Sequence, residues 1–236
     1  MKKSLLVLAV VAAFAPMLAQ AEAGDIVVRL RATHVSPDTS SILQSQTVST
    51  YNQGVANTLY GVGSNAALQV DSNTIPEIDF SYYITKNIAA ELILAVGTRH
   101  DVHISGMTGS AAANAALGSV NLLPPTLTAQ WHFNPDQTID PYVGAGLSYV
   151  RAMDRNLNYG GIAPIKIDRN TWGPAFQVGV DYNLENKWLV NLDVKKIWFS
   201  TDVNVDASVL GVSGFKKIDS LDIDPWVVSV GFGKKF

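Results

Sequence analysis

Apolar and polar residues alternate along most of the chain beyond about residue 25. The clearest example covers residues 172–182, where Phe176 and Val178 alternate with Gln177 and Gly179. A period of two predicts a β-strand, because successive side chains of a strand point to opposite faces. A helical period fails, because residues four apart would put Asp and Val on one face.

Eight such segments follow one another, each near the ten residues that a barrel strand needs to cross a bilayer. They cover residues 25–35, 75–85, 88 onwards, 122–133, 140–154, 170–184, 188–203 and 220–236. Their connections are short at 86–87, 134–139 and 185–187, and long at 36–74, 104–121, 155–169 and 204–217. Outer-membrane barrels have short periplasmic turns and long external loops. The sequence therefore predicts an all-β fold, an eight-stranded antiparallel transmembrane β-barrel with both termini on the periplasmic side.

The first residues have the pattern of a secretory signal peptide. Lys2 and Lys3 precede an apolar run over residues 5–18, and Ala19-Gln20-Ala21 supplies the small residues of a cleavage site. The apolar run is shorter than the roughly 20 residues of a membrane-spanning helix. We therefore expect residues 1–21 to be removed, and residues 22–236 to form one barrel domain in the bacterial outer membrane.

The last segment ends on an aromatic residue. Trp226, Val228, Val230 and Phe232 alternate with other residues up to Phe236. An alternating strand that ends on Phe resembles the signal that the barrel-assembly machinery recognises. We therefore expect the barrel-assembly machinery to bind this chain through Phe236. Lys234 departs from the usual pattern, which has an apolar residue there.

Other aromatic residues lie near segment ends. The set comprises Tyr82, Trp131, Phe133, Tyr142, Trp188 and Trp226. Such positions are typical of the aromatic girdles at the two membrane interfaces. They favour a barrel whose apolar face contacts lipid, with outer-membrane lipid and lipopolysaccharide as its surroundings.

Composition and isolated polar residues exclude several function classes. The formal net charge is −3, which argues against nucleic acid as a partner, and the chain has no cysteine. His100 and His103 lie three apart, so in a strand their rings would point to opposite faces rather than to one metal ion. With no Ser–His–acid pattern in the sequence, we expect no enzyme, no cofactor and no metal site.

Charged residues in the inward phase cluster toward the periplasmic end. Besides Asp79 they are Arg29, Arg31, Glu91, Asp181, Asp193 and Lys195. Unpaired buried charge is costly, and an eight-stranded barrel is only wide enough inside for side chains. We therefore expect ion pairs that plug the periplasmic half of the lumen.

Prolines interrupt two of the predicted strands. Leu123-Pro124-Pro125 stands where the fourth segment leaves an external loop, and Pro174 lies near the outer start of the sixth. Proline has no N–H for the ladder. Each site is therefore either a gap in the wall or a simple strand end, and the residues alone leave both open.

Several motifs together resemble the outer-membrane protein W (OmpW) family. They are Leu123-Pro124-Pro125-Thr126-Leu127, Pro141-Tyr142-Val143-Gly144-Ala145-Gly146, Trp172-Gly173, Gln177-Val178-Gly179-Val180-Asp181-Tyr182, Trp188-Leu189-Val190-Asn191 and Asp222-Ile223-Asp224-Pro225-Trp226. They occur in order from about residue 24 to Phe236.

The resemblance implies a narrow apolar channel, closed below and open sideways into the membrane. It would admit small hydrophobic solutes, including alkanes and aromatics in some relatives. Leu123, Pro124 and Pro125 would mark the lateral opening together with Pro174, and Trp172 would lie near the outer part of the channel. The alternative is a non-transporting barrel that stabilises the envelope or binds a partner through its external loops.

Overall fold

The structure, a computed structural model, describes residues 22–41, 66–95, 98–106, 114–161 and 163–236. The predicted signal peptide and most of the first predicted external loop lie outside these residues. Within them, no helix is long and apolar enough to cross a membrane. The strands are β1 (Ile26–Ser36), β2 (Ala67–Val70), β3 (Asn73–Tyr83), β4 (Ile88–Ala95), β5 (Thr98–Ser105), β6 (Asn114–Leu123), β7 (Thr126–His132), β8 (Ile139–Tyr159), β9 (Ala163–Ile167), β10 (Asn170–Asn183), β11 (Trp188–Ile197), β12 (Ser200–Asp206), β13 (Phe215–Asp222) and β14 (Trp226–Lys235).

These strands are arranged as eight long strands around one barrel, some of them interrupted, and we call each long strand a line. Strands β1 and β8 run singly, and the other six lines are pairs separated by a short break: β2–β3, β4–β5, β6–β7, β9–β10, β11–β12 and β13–β14. Neighbouring lines pair antiparallel, and β1 closes the ring by pairing with β14, where Val27 lies opposite Lys235. The predicted eight-stranded antiparallel barrel is confirmed. The amide of Phe236 donates to the carbonyl of Ile26 at 2.8 Å, so the described ends meet at the end of the barrel that carries the short turns.

The lower barrel is the part built from β1, β3, β4, β7, β10, β11, β14 and the start of β8. Its outer wall is apolar, and its inward positions are polar. Large exposed apolar side chains circle it, including Leu30, Phe80, Leu127, Leu147, Val178, Leu192 and Phe232. This distribution is the reverse of a water-soluble protein and suits a wall surrounded by lipid.

The upper barrel is formed by β2, β5, β6, β9, β12, β13 and the end of β8. Here the apolar face turns inward: Val203 and Val205 of β12 are buried, while Asp202 and Asn204 lie on the outer side. Along this line the inward positions change from polar to apolar between Lys195 and Ile197. The interior therefore holds an apolar cluster that includes Val102, Ile104, Leu117, Ile165 and Ile218.

The upper barrel corrects the predicted external loops. Much of the ranges predicted as loops at 104–121, 155–169 and 204–217 is strand, since β8 continues to Tyr159 and β9 begins at Ala163. The ladder continues because inward apolar side chains provide a core there.

Candidate solute channel

Arg29 projects into the lumen of the lower barrel and contacts carboxylates from three other strands. Its Nη2 donates to Asp181 Oδ2 at 2.5 Å, and its Nη1 lies 3.1 Å from Asp79 Oδ1 and 3.6 Å from Glu91 Oε1. Nη1 also donates to the hydroxyl of Ser81 at 2.6 Å. The guanidinium thus joins β1 to β3, β4 and β10 across the interior.

Arg31 makes a second set of contacts one step further up β1. Its Nη1 lies 3.2 Å from Glu77 Oε1 and 3.0 Å from Asp79 Oδ2, and its Nη2 lies 3.2 Å from Glu91 Oε1. Nε donates to Asn191 Oδ1 at 2.7 Å. Three carboxylates therefore share this guanidinium, and two of them, Asp79 and Glu91, also contact Arg29.

Lys195 and Asp193 complete the group on β11. Lys195 Nζ donates to Asp193 Oδ1 at 2.6 Å, and the Tyr142 hydroxyl donates to Asp193 Oδ2 at 2.8 Å. On the other side of the lumen, the side-chain amides of Gln130 and Gln177 each donate to Glu91 Oε2 at 2.8 Å. Each of these side chains is buried.

These charges form one cluster, which we call the charged floor. Its members are Arg29, Arg31, Glu77, Asp79, Glu91, Asp181, Asp193 and Lys195. The structure brings together all six residues that the sequence predicted for the plug, and the predicted ion pairs are present. Burying so many charges is tolerable only because each has an opposite charge or a hydrogen-bond donor beside it.

The sequence-based interpretation missed several residues of this region. Glu77 was absent from the predicted plug, although it lies two residues before Asp79 and so shares its inward phase. Tyr142 was predicted to lie in an aromatic girdle, and this is wrong: it is fully buried inside the barrel. Its neighbour Val143 faces outward, so strict alternation places Tyr142 in the lumen.

A histidine below the charged floor is the centre of a small polar group. Ligand atoms of His132, Asp140 and Asp181 lie within 4.8 Å of one another, the spacing of a possible metal site. His132 Nδ1 is already 2.7 Å from Asp140 Oδ2, and Asp181 is bound by Arg29 and by the amide of Asn191. These contacts account for the group without a metal ion.

Above the charged floor the lumen widens into two adjoining apolar cavities. The lower cavity reaches Glu77 and Lys195 at its base. The upper cavity lies within the upper barrel. Both are lined by Val70, Leu122, Val150, Phe199 and Ile223. The shared lining indicates a continuous apolar path from the upper barrel to the charged floor.

Backbone pairing between the described residues of the lower cavity's wall is interrupted beside Pro124. Strand β4 pairs with β7 up to Ile93 opposite Thr126, and β5 pairs with β6 from Thr98 opposite Leu122. Among the described residues between these rungs, no backbone hydrogen bond joins the two lines. Pro124 lines the cavity at this point and is partly exposed.

The other flank of the proline pair remains closed. The amide of Tyr149 on β8 donates to the carbonyl of Pro125 at 2.9 Å. Leu123 lies opposite Arg151 of β8 and is exposed on the outer face. The break beside the prolines is therefore one-sided, between the β4–β5 line and the β6–β7 line.

Two predicted channel residues are placed elsewhere. Trp172 does not line the channel: its side chain is on the outer surface, 66% exposed, with its ring 4.6 Å from that of Tyr149. The predicted gap at Pro174 is also wrong. The amide of Trp198 donates to the Pro174 carbonyl at 3.0 Å, and a Cβ on Gly173 would lie 2.0 Å from the Trp198 oxygen, so the two backbones are in close contact.

Comparison with known proteins agrees with this architecture. The family profile described as "OmpW family" matches residues 22–236. The chain belongs to the OmpW family. Outer membrane protein W of Vibrio cholerae serotype O1 is 33% identical over 100% of both chains. With homologues named as outer membrane proteins and a barrel of this type, the chain is a bacterial outer-membrane protein.

Other OmpW-family relatives match over most of the chain. Outer membrane protein AlkL of Ectopseudomonas oleovorans is 30% identical, over 72% of this chain and 70% of its own. The dibenzothiophene metabolism operon protein PahQ of Pseudomonas aeruginosa is 24% identical, over 79% of this chain and 88% of its own. The crystal structure of OprG from Pseudomonas aeruginosa superposes with a TM-score of 0.74 at 29% identity, covering 91% of this chain and 97% of OprG.

Proposed function

We propose that this barrel is a passive uptake channel for small hydrophobic molecules, which enter from outside and leave sideways into the membrane. The observation that carries the proposal is the pair of adjoining apolar cavities, which end on the charged floor and of which the lower is lined by Pro124. The name of the relative PahQ, which refers to the metabolism of an apolar aromatic compound, supports the same solute class.

The charged floor favours the lateral route over the straight one. An apolar solute passing downward would have to separate buried ion pairs such as Arg29–Asp181, and breaking a buried ion pair is costly. The same solute moving into the bilayer stays out of water, which is worth about 0.8 kcal/mol for each CH₂ group. In this proposal the charged floor is a plug and the membrane is the destination.

The prolines keep the lateral opening from being sealed by the ladder. In the hydrocarbon of the membrane, the backbone N–H and C=O groups of a strand edge must find hydrogen-bond partners within the protein. A proline has no N–H, so one fewer donor needs a partner. Pro124 thus permits a local gap between the β4–β5 and β6–β7 lines with one unpaired donor fewer, while the carbonyl of Pro125 faces β8.

The test replaces both prolines and measures entry. Pro124→Ala with Pro125→Ala restores two N–H donors, and we expect uptake of a small labelled hydrophobic solute into cells to fall. Pro164→Ala, on the outer side of β9 in the upper barrel, is the matched control. Folding is checked by gel mobility with and without heating. Unchanged uptake by a folded double variant would rule out the lateral route.

The same measurement addresses the alternative of a non-transporting envelope or adhesive barrel. If cells lacking the protein take up the solute as fast as cells that contain it, the alternative is favoured. The adjoining cavities argue for transport, because a barrel that acts only through external loops has no need of an apolar interior open to its wall.

We also propose two contacts with the envelope. Arg99 and Arg151 are exposed in the upper barrel, where they would face the phosphates of lipopolysaccharide. Phe236 would be recognised by the barrel-assembly machinery during insertion.

A further inference from the structure

The base of the lower cavity is polar, whereas most of its wall is apolar, with Thr98 and His100 as polar members. Glu77 and Lys195 lie at the base with the hydroxyl-bearing Thr33 and Thr126. Lys195 Nζ is 3.8 Å from Glu77 Oε1. The walls above are formed by side chains such as Ile75, Ile93, Ile197 and Val227. The cavity is therefore amphipathic, with an opposite-charge pair at one end.

Lys195 has hydrogen-bonding capacity that the described residues do not use. Its ammonium carries three N–H donors. Within the described part of the chain it donates one hydrogen bond, to Asp193 Oδ1 at 2.6 Å. The side chain is only 2% exposed and lines the cavity, so a ligand bound there would meet an ammonium that bulk solvent does not reach. Buried donors without acceptors are costly, and a ligand that supplies an acceptor removes that cost.

Glu77 offers the complementary group. Its Oε1 is bound by Arg31 at 3.2 Å, and its side chain reaches the same cavity base as Lys195. A single neutral group that both accepts and donates would bridge the two: it would accept from the Lys195 ammonium and donate to the Glu77 carboxylate. A hydroxyl does this.

The net charge of the charged floor argues against a charged head group. The floor has five carboxylates and three cations, so a carboxylate ligand would add to an existing excess of negative charge. An alkylammonium would compete with Lys195 for the same carboxylates and would lie next to a like charge. A neutral head group avoids both penalties.

We propose that the preferred solutes are amphipathic molecules with a terminal hydroxyl, such as medium-chain primary alcohols. The hydroxyl binds between Lys195 and Glu77, and the chain extends upward along the apolar walls past Pro124. This inference rests on the proposed uptake function and narrows its solute class: the cavity selects for one polar end as well as for an apolar body.

The test compares two ligands of equal chain length, octan-1-ol and octane, on the whole protein in lipid nanodiscs. Binding of each radiolabelled ligand is measured against empty nanodiscs and referred to its concentration in the lipid, so that partition into the membrane cancels. We expect octan-1-ol to bind about tenfold more tightly than octane, because a hydrogen bond to a charged group has roughly that effect. Octyl methyl ether, which accepts but does not donate, should fall between them.

A charge-balanced variant assigns the preference to the base of the cavity. Lys195→Met with Asp193→Asn removes one cation and one carboxylate, and we expect the ratio of alcohol to alkane affinity to fall to about one while octane binding is retained. Lys187→Met, in an exposed periplasmic turn, is the matched control and should keep the wild-type ratio. If the double variant does not fold, the three-ligand series on the wild-type protein decides alone.

The outcomes separate this inference from the uptake function. Equal affinity of the wild-type protein for octan-1-ol and octane would overturn the head-group site and leave the hydrophobic channel intact. Binding of neither ligand would remove the proposed channel, and this inference with it. An alcohol preference that persists in the folded double variant would place the polar contact away from Lys195.

Discussion

Removing Arg31 should destabilise the barrel by more than any single surface change. Arg31→Met leaves the carboxylates of Glu77, Asp79 and Glu91 without a guanidinium that now lies 3.0–3.2 Å from each. The charged floor would then hold five carboxylates against two cations. Breaking a buried ion pair by deleting one partner costs about 3–5 kcal/mol. With three partners affected, we expect a loss at the upper end of that range.

The free energy of unfolding would be measured by urea titration of the protein refolded into vesicles, followed by tryptophan fluorescence. The companion variant Arg31→Met with Asp79→Asn removes one carboxylate charge as well, and it should regain roughly half of the loss if unpaired charge is the cause. A loss below about 1 kcal/mol for the single variant would refute the reasoning, because such a value is typical of exposed ion pairs. So would a double variant no more stable than the single one.

Two further predictions concern the wall and the last residue. Gly146→Ala places a Cβ 1.9 Å from the carbonyl oxygen of Leu127, so the urea titration should show a loss of about 1–3 kcal/mol, whereas Ala145→Val on the lipid side should be nearly neutral. Phe236→Ala keeps the backbone hydrogen bonds to Ile26 but removes the aromatic ring, so refolding in vitro should be unchanged while the amount of protein in isolated outer membranes falls. Equal amounts in the membrane would contradict a role of the ring in assembly.

Residue alternation predicted the lower barrel well because the two faces of each strand meet different surroundings. Val28 and Leu30 face outward, so Arg29 between them had to face the lumen. The same phase placed Asp181 and Asp193 inside. No knowledge of tertiary structure was needed for these assignments, since lipid on one side and a narrow lumen on the other impose the pattern.

Alternation failed in the upper barrel because the apolar face changes sides. Val203 and Val205 point inward there, and the outward Asp202 and Asn204 look like loop residues when apolar side chains are expected on the outside. Whether the apolar residues of a strand point outward or inward depends on whether lipid or water surrounds the wall. A single sequence does not state where the membrane ends.

The predictions for Trp172 and Pro174 failed for a different reason. Trp172 was in the outward phase, and only the motif resemblance assigned it to the channel. Pro174 removes a donor as expected, yet Gly173 allows the backbone of Trp198 to approach and close the wall. Whether a missing N–H produces an opening depends on the neighbouring strand, and that neighbour is 24 residues away along the chain.

The pairing of β1 with β14 has a consequence for the order in which the molecule can be made. Each of its rungs joins residues almost a whole domain apart, from Val27 opposite Lys235 to Ser36 opposite Trp226. Such distant contacts bear a large loop-closure entropy and form late and slowly. A nascent or truncated chain without β14 exposes two unsatisfied strand edges and an apolar outer face, a combination prone to aggregation in water. We therefore expect the polypeptide to need protection from aggregation until its final strand is available, and ring closure to be among the last steps of its folding.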